Sequence, residues 1–318
     1  MHLHSDHIYI IGSGAIGKAL AVFLKLSGRK ATLIRGSVND GNQKIEHIRV
    51  QMPDGTMHEA DITISTLNAF PTLHGIVVLA NKSFGNEALA VALKNKTGSS
   101  PIVLMQNGLG VERPFFAQDF PEIYRCVLFV TSQIMDETLV RFKPVATCPV
   151  GIERGDVDCL QRLVTQLTTS QFVFKSEADI QHTIWKKAIV NCVFNSVCPL
   201  LSVDNGIFYR NEAALDIARR VIAECNGIAN AKGILLSSND IEESLLQISR
   251  ASDGQLISTL QDIRAGRRTE IDTLNFEIVK MAGELGLVQT VKETKLLGEL
   301  VKLKAEINLN RNLETIKP

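Results

Sequence analysis

Six residues near the start of the chain, Gly12–Gly17 (GSGAIG), restrict its fold more than any other stretch. They follow a short β-rich apolar run, His7–Ile11 (HIYII), and open a segment of helical periodicity, Ala15–Leu26 (AIGKALAVFLKL). Strand, glycine turn and helix in direct succession begin a βαβ unit. Gly12 makes the tight turn, Gly14 lets a pyrophosphate approach the backbone, and Gly17 lets helix and strand pack closely. The helix N-terminus then offers backbone N–H groups and the positive end of its dipole to phosphate. Gly12, Ser13, Gly14, Ala15, Ile16 and Gly17 are therefore candidate dinucleotide-binding residues.

The pattern continues through the first half. Ala31–Ile34 (ATLI), Ile76–Leu79 (IVVL), Ile102–Met105 (IVLM) and Cys126–Thr131 (CVLFVT) are short apolar runs separated by helical patterns. Such runs belong to a mostly parallel sheet covered on both faces. Residues 1–175 thus read as a Rossmann-type, doubly wound α/β domain. After about Phe174 the character changes, with Ser176–Ile180 (SEADI) as a junction. Helical patterns follow over Ile180–Val197, Ala213–Lys232, Ile241–Ser249 and Thr269–Leu285, then a polar tail from Lys292. Lys304–Pro318 is expected to fray. Gly28, Gly233 and Gly286 stand where helix stops belong. Residues 176–318 read as an all-helical second domain.

Composition removes several function classes. Lys+Arg and Asp+Glu are both 34, so the formal net charge is zero, and no basic run marks a nucleic-acid or anionic-membrane partner. No apolar stretch is long enough for a membrane span, and the N-terminus lacks the layout of a signal peptide. Six scattered cysteines without a CxxC pair read as reduced thiols of a cytoplasmic protein. His2, His4 and His7 lack a companion ligand cluster, so no metal is expected.

The second strand bears on the ligand. An NAD-type site carries an Asp or Glu roughly 20 residues after the glycines, on the ribose hydroxyl. Here the strand ends in Arg35, followed by Gly36 and Ser37. Arginine attracts a 2′-phosphate and can bind it with two hydrogen bonds, so NADP(H) is expected. The alternative is a solvated arginine at a strand end.

One helix is unusual. Trp185–Asn195 (WKKAIVNCVFN) is apolar on most sides, yet Lys187, Asn191 and Asn195 recur every fourth residue. They form a slanting polar stripe. On a buried helix such a stripe must find partners or face a cavity, and a costly-to-charge lysine there suits proton donation. The other reading has the stripe facing water, with the asparagines bonded to backbone. Lys186 points away and is assigned to solvent.

With Gln106–Gly110 (QNGLG), Trp185–Asn195 and Leu260–Asp272 (LQDIRAGRRTEID) in this order, the chain resembles the ketopantoate reductase family from the GSGAIG turn to about Leu297. The resemblance implies a helical domain of the 6-phosphogluconate dehydrogenase C-terminal type. It also implies NADPH-dependent reduction of 2-dehydropantoate to (R)-pantoate, on the route to pantothenate and coenzyme A. Lys187 would be the general acid. Asn107 would contact substrate and nicotinamide, Asn191 and Asn195 would bind the substrate hydroxyl, and Ser258 its carboxylate. Glu270 would position Lys187 or the substrate beside the cofactor, while Arg35 and Lys82 would lie on the cofactor. From the residues themselves, Thr269 with Asp272 reads as a capping box that starts a helix with Glu270 in its first turn, and Gly266 marks a break after Ser258. The chain departs from the family at Gln255, where an asparagine is common, and at Ile207, where a glutamate commonly follows Asn-Gly. A paralogous reductase of another 2-ketoacid, a 3-hydroxyacid dehydrogenase and a non-catalytic NADPH sensor are the alternatives; a homodimer is left open.

Overall fold

The computed structural model describes residues 7–36 and 38–315, with side chains as far as Leu309. Its chain divides into two units: Met1–Asn107 with Val111–Ile180, and Gly108–Gly110 with Gln181–Pro318.

Among the described residues the first unit holds eleven strands: β1 (Ile8–Ile11), β2 (Ala31–Arg35), β3 (Lys44–Gln51), β4 (Met57–Thr66), β5 (Ile76–Leu79), β6 (Ile102–Leu104), β7 (Ile123–Cys126), β8 (Val130–Ile134), β9 (Leu139–Pro144), β10 (Cys148–Arg154) and β11 (Phe174–Ser176). They form one sheet in the order β11-β10-β7-β6-β5-β1-β2-β4-β3-β9-β8. From β7 to β4 every pairing is parallel. Side chains alternate between the two faces of these strands. Ile8, Ile10, Ile76, Val78 and Val103 join one core beneath helices α1 (Ala15–Leu26) and α4 (Val157–Leu167). Tyr9, Ile11, Val77, Leu79, Ile102 and Leu104 join the other, beneath α2 (Asn86–Thr97) and α3 (Arg113–Ala117). Both faces are dry, which is why these strands read as continuous apolar runs.

The expected strand Cys126–Thr131 is two. β7 stops at Cys126, and β8 begins at Val130 as the antiparallel partner of β9. Just past β7 the Val127 amide still donates to the Pro149 carbonyl (2.9 Å), prolonging the pairing with β10 by one residue before the chain leaves for β8.

The second unit is built on α5 (Ile180–Leu201), whose Ile184, Trp185, Ala188, Ile189, Cys192, Val193, Phe194 and Val197 are buried. Around it are α6 (Ile207–Arg210), α7 (Glu212–Ala231), α8 (Ser238–Ala251), α9 (Ser258–Arg264), α10 (Asn275–Glu284) and α11 (Lys292–Thr315). Gly233 and Gly286 follow α7 and α10 with φ +83° and +71°, the left-handed residue that ends a helix. The expected helix from Thr269 does not form there. Arg268 donates to Asp272 Oδ2 (3.2 Å), and Asp272 does not bond back to Thr269. Ile271–Thr273 is a single 3-10 turn, Leu274 is non-helical (φ −113°, ψ −102°), and α10 begins at Asn275. Of the tail expected to fray, residues 304–315 are helical, and 316–318 lie outside the described residues. α11 runs to Thr315, its start capped by the Glu224 carboxylate, which accepts from the Glu293 and Thr294 amides (3.0 and 2.8 Å). Its Val301 is buried with Ile263 and Ile271, and Lys304 Nζ donates to the Pro199 carbonyl (2.6 Å).

No described helix is long and apolar enough to cross a membrane. Among the described residues no three His, Cys, Asp or Glu side chains cluster as a metal site, and His2 and His4 lie outside those residues. None of the six cysteines is in a disulfide, and all are buried.

Candidate functional site

In the first unit, Gly12–Gly17 link β1 to α1 at the carboxyl edge of the sheet. This is beside the point where the strand order reverses, between β1 and β5. Each glycine can be tested by asking what a Cβ would meet. At Gly12 (φ +119°) it would strike the Asn81 amide nitrogen at 2.5 Å, and at Gly17 it would strike the Gly12 carbonyl. At Gly14 it would meet nothing within 4 Å. Gly14 is also the N-cap of α1, with no capping side chain and no acid in the first turn. Open space above an uncapped, acid-free helix N-terminus fits a pyrophosphate. Ser13, Ala15 and Ile16 are half-buried around it.

Arg35 ends β2, half-buried, and donates to Asp40 Oδ1 (3.1 Å). Asp40 also accepts from the Asn42 amide (3.0 Å) and side chain (2.8 Å), and these bonds, with Arg35, hold its carboxyl below the usual range. This acid was not anticipated from the sequence. It lies five positions beyond Arg35, so no strand-end rule pointed to it. Lys82, exposed, opens the turn after β5, next to the Asn81 that Gly12 abuts.

The QNGLG run follows β6. Gln106 and Asn86 exchange two buried amide hydrogen bonds, each 2.8 Å, and Asn86 also donates to the Val111 carbonyl (2.8 Å). Asn107 is half-buried between this pair and Gly108. In the second unit, the Leu109 amide donates to the Thr273 carbonyl (2.8 Å), and a Cβ on Gly108 (φ +94°) would meet that same carbonyl at 2.5 Å. Thr273 in turn donates to the Glu270 carbonyl through its amide (3.1 Å) and hydroxyl (3.2 Å). The ends of two distant motifs therefore meet at Thr273. Glu270 itself is half-buried, just ahead of the 3-10 turn.

On α5, Lys187 and Asn191 are half-buried and Asn195 is buried. Asn195 Nδ2 donates to the Asn191 carbonyl (3.0 Å), so the backbone-bonded alternative is realised at that atom. Asn195 Oδ1 accepts from Thr259 Oγ1 (2.7 Å) and, at 3.4 Å, from Ser258 Oγ. The structure thus brings Ser258, exposed in the first turn of α9, to the foot of the stripe. Thr259, buried beside it, was missed; its only signal was adjacency to Ser258. The Asn191 side-chain amide has no hydrogen-bond partner among the described residues. Lys186, expected in solvent, is half-covered. α9 ends at Arg264, and Gly266 (φ +62°) separates Ser258 from Glu270 as expected. The loops flanking α9 are locked: Asp262 accepts from Arg267 Nε (2.9 Å), and the Gln255 carbonyl accepts from the Asn205 amide (2.9 Å).

Two family profiles match. "Ketopantoate reductase PanE/ApbA" matches residues 8–150 and "Ketopantoate reductase PanE/ApbA C terminal" residues 179–305. The 2-dehydropantoate 2-reductase of Halobacterium salinarum is 24% identical over 93% of this chain and 98% of its own. That of Pyrococcus horikoshii is 26% identical over 94% and 98%. Among solved structures, a PanE/ApbA family ketopantoate reductase from Ralstonia eutropha superposes with TM-score 0.82 at 21% identity, covering 95% of this chain and 99% of that one. A dimeric ketopantoate reductase from Staphylococcus aureus gives 0.79 at 20%, and a D-mandelate dehydrogenase bound to NADH and anilino(oxo)acetate 0.81 at 20%, with the same coverage. These structures share its fold.

Proposed function

The chain belongs to the ketopantoate reductase family, and on that premise we propose that it reduces the C2 ketone of 2-dehydropantoate to (R)-pantoate with NADPH, toward pantothenate and coenzyme A. The observation that carries this reading is the polar stripe of α5, with Asn191 unpartnered among the described residues and Ser258 drawn to its foot by Asn195.

Gly12–Gly17 would hold the pyrophosphate, Arg35 and Lys82 the 2′-phosphate, and Asn107 and Glu270 the nicotinamide side. A bound nicotinamide supplies the hydride. Lys187 Nζ stabilises the negative charge that develops on the ketone oxygen and gives it a proton. Asn191 offers its free amide to the same oxygen, and Asn195 keeps one N–H beyond the bond it makes to backbone. Two neutral amides bind a hydroxyl without adding a charge that would fix the lysine's state. Ser258 Oγ donates to the substrate carboxylate. Glu270 orients Lys187. Six buried cysteines without a disulfide support a reducing compartment, the cytosol.

Two observations support a second reading, a reductase of another 2-ketoacid. Gln255, exposed ahead of α9, replaces the commoner asparagine, and Ile207 opens α6 where an acid is common. A D-mandelate dehydrogenase is among the structural neighbours.

The test is NADPH oxidation with 2-dehydropantoate and a panel of branched and aryl 2-ketoacids, with NADH as control. Preference for 2-dehydropantoate supports the first reading, and activity confined to another acid the second. Lys187→Ala should lower kcat by about 10²–10⁴-fold while NADPH still binds. A near-normal kcat would remove Lys187 from its role.

A further inference from the structure

Two neighbouring hydroxyls of α9 share one acceptor at the foot of the α5 stripe. Asn195 Nδ2 donates to the Asn191 carbonyl (3.0 Å), and turning the amide over would set oxygen against oxygen there. Asn195 Oδ1 therefore faces α9, where Thr259 and Ser258 reach it unequally. Thr259 Oγ1 lies at 2.7 Å, a full hydrogen bond, and Ser258 Oγ at 3.4 Å, a weak one. Thr259 is 2% exposed, whereas Ser258 is open to solvent. Among the described residues Ser258 Oγ has no other hydrogen-bond partner.

A hydroxyl carries a single proton. Ser258 gives it in full either to Asn195 or to a ligand outside, not to both. Thr259 makes that choice. With Thr259 bonded, the buried Oδ1 already has its donor, and the serine proton stays free. Without the threonine hydroxyl, Oδ1 would be a buried acceptor with Ser258 as the hydroxyl in reach, and an acceptor left unpaired there is costly. The serine would turn inward. The backbone need not move for this exchange. Gln261 Nε2 holds the Leu256 carbonyl (2.7 Å), and the Asn205 amide holds the Gln255 carbonyl (2.9 Å), so the chain entering α9 is fixed. Rotation of Ser258 about χ1 is enough.

We propose that Thr259 is a positioning residue for ketoacid binding: by satisfying Asn195 it keeps the Ser258 hydroxyl free to donate to the substrate carboxylate. This rests on the role given to Ser258 in the reductase reading. Thr259→Val removes the donor and keeps the shape. It should raise KM for the ketoacid about tenfold, with kcat within about twofold and NADPH affinity unchanged. Thr259→Ser keeps the donor and should restore the native KM. Ser258→Ala should raise KM by a similar factor. The double variant, Ser258→Ala with Thr259→Val, should be no worse than either alone, because the serine proton is already diverted. In the crystal structure of Thr259→Val, Ser258 Oγ should close on Asn195 Oδ1 from 3.4 Å to about 2.8 Å. If that variant does not fold, Thr259→Ala is read in the same way. A native KM in the Thr259 variant, or two factors that multiply in the double variant, overturns the proposal. If the native protein reduces no 2-ketoacid, the reductase reading fails and the separation decides alone: contraction upholds the hold of Thr259 on Ser258, and 3.4 Å overturns it.

Discussion

At the scale of single residues, two asparagines four apart on one helix have separate accounts. Asn195 is buried with both ends of its amide bonded, so its loss leaves the buried Thr259 hydroxyl without its acceptor. Asn191 is half-buried and its amide is uncommitted. Asn195→Ala should therefore cost on the order of 1–3 kcal/mol of stability, read by denaturant unfolding. Asn191→Ala should change stability by no more than about 0.5 kcal/mol, yet lower kcat/KM about tenfold or more. If Asn191→Ala destabilises like Asn195→Ala, the stripe is structural throughout. Arg35 and Asp40 make a comparable pair. A 2′-phosphate needs the guanidinium that Asp40 holds, so Arg35→Ala should weaken NADPH about tenfold or more and NADH little, while Asp40→Asn should tighten NADPH. Titrations showing equal effects on both cofactors would remove the argument for NADP.

At the scale of elements, the QNGLG loop is fastened at both ends: upstream by the Gln106–Asn86 amide pair, downstream by Leu109 on Thr273. Gly108 carries the left-handed backbone that this path needs, with Thr273 against the place a Cβ would take. Gly108→Ala should cost on the order of 2–4 kcal/mol and disturb Glu270 through Thr273. A variant with unchanged melting temperature and unchanged KM would show that the loop relaxes freely. Much of this level was legible in the sequence. α1 was read to the residue and β5 likewise, because a strand dry on both faces is a plain apolar run and a glycine turn dates the helix start. The hairpin of β3 and β4 was not read. Its Lys44–Gln51 strand carries Glu46, His47 and Arg49 among its apolar residues, so it has no continuous apolar signal. The helix expected from Thr269 is interrupted where the Leu109 amide takes the Thr273 carbonyl, a contact that no local capping pattern announces. The stripe of α5 was legible from spacing alone. Its fastening to Thr259, and Asp40 on Arg35, were not, because each depends on where a loop or a second helix returns in space.

At the scale of the whole molecule, opposite charges balance at neutral pH, so acid stability depends on which groups folding has perturbed. Asp136 is held below its ordinary 3.8 by the Thr138 and Leu139 amides in the β8–β9 turn, and Asp54 by the Thr56 amide. Asp204 is held down by Arg210, then by the Gly206 and Gly254 amides. A carboxyl whose folded pKa is depressed binds fewer protons folded than unfolded. Its stabilisation is complete above the ordinary value and is lost as pH falls through the folded one. His7 shifts the same way at higher pH. Burial, then Lys30, lowers it from 6.5, so its contribution is present above 6.5 and fades as pH drops below. His47 opposes it, raised by Asp61 on the surface, so that its stabilisation holds below 6.5 and is lost as pH rises through its folded value. The melting temperature should therefore pass through a shallow maximum near pH 6.5, declining on the alkaline side through His47 and on the acid side through His7, and fall more steeply below about pH 4. His7→Gln should flatten the wild-type loss just below 6.5 and leave the steeper acid limb intact, whereas Asp204→Asn should lower stability at neutral pH and reduce the acid slope. A His7→Gln curve parallel to wild type through that range would show that the His7 proton is not linked to folding.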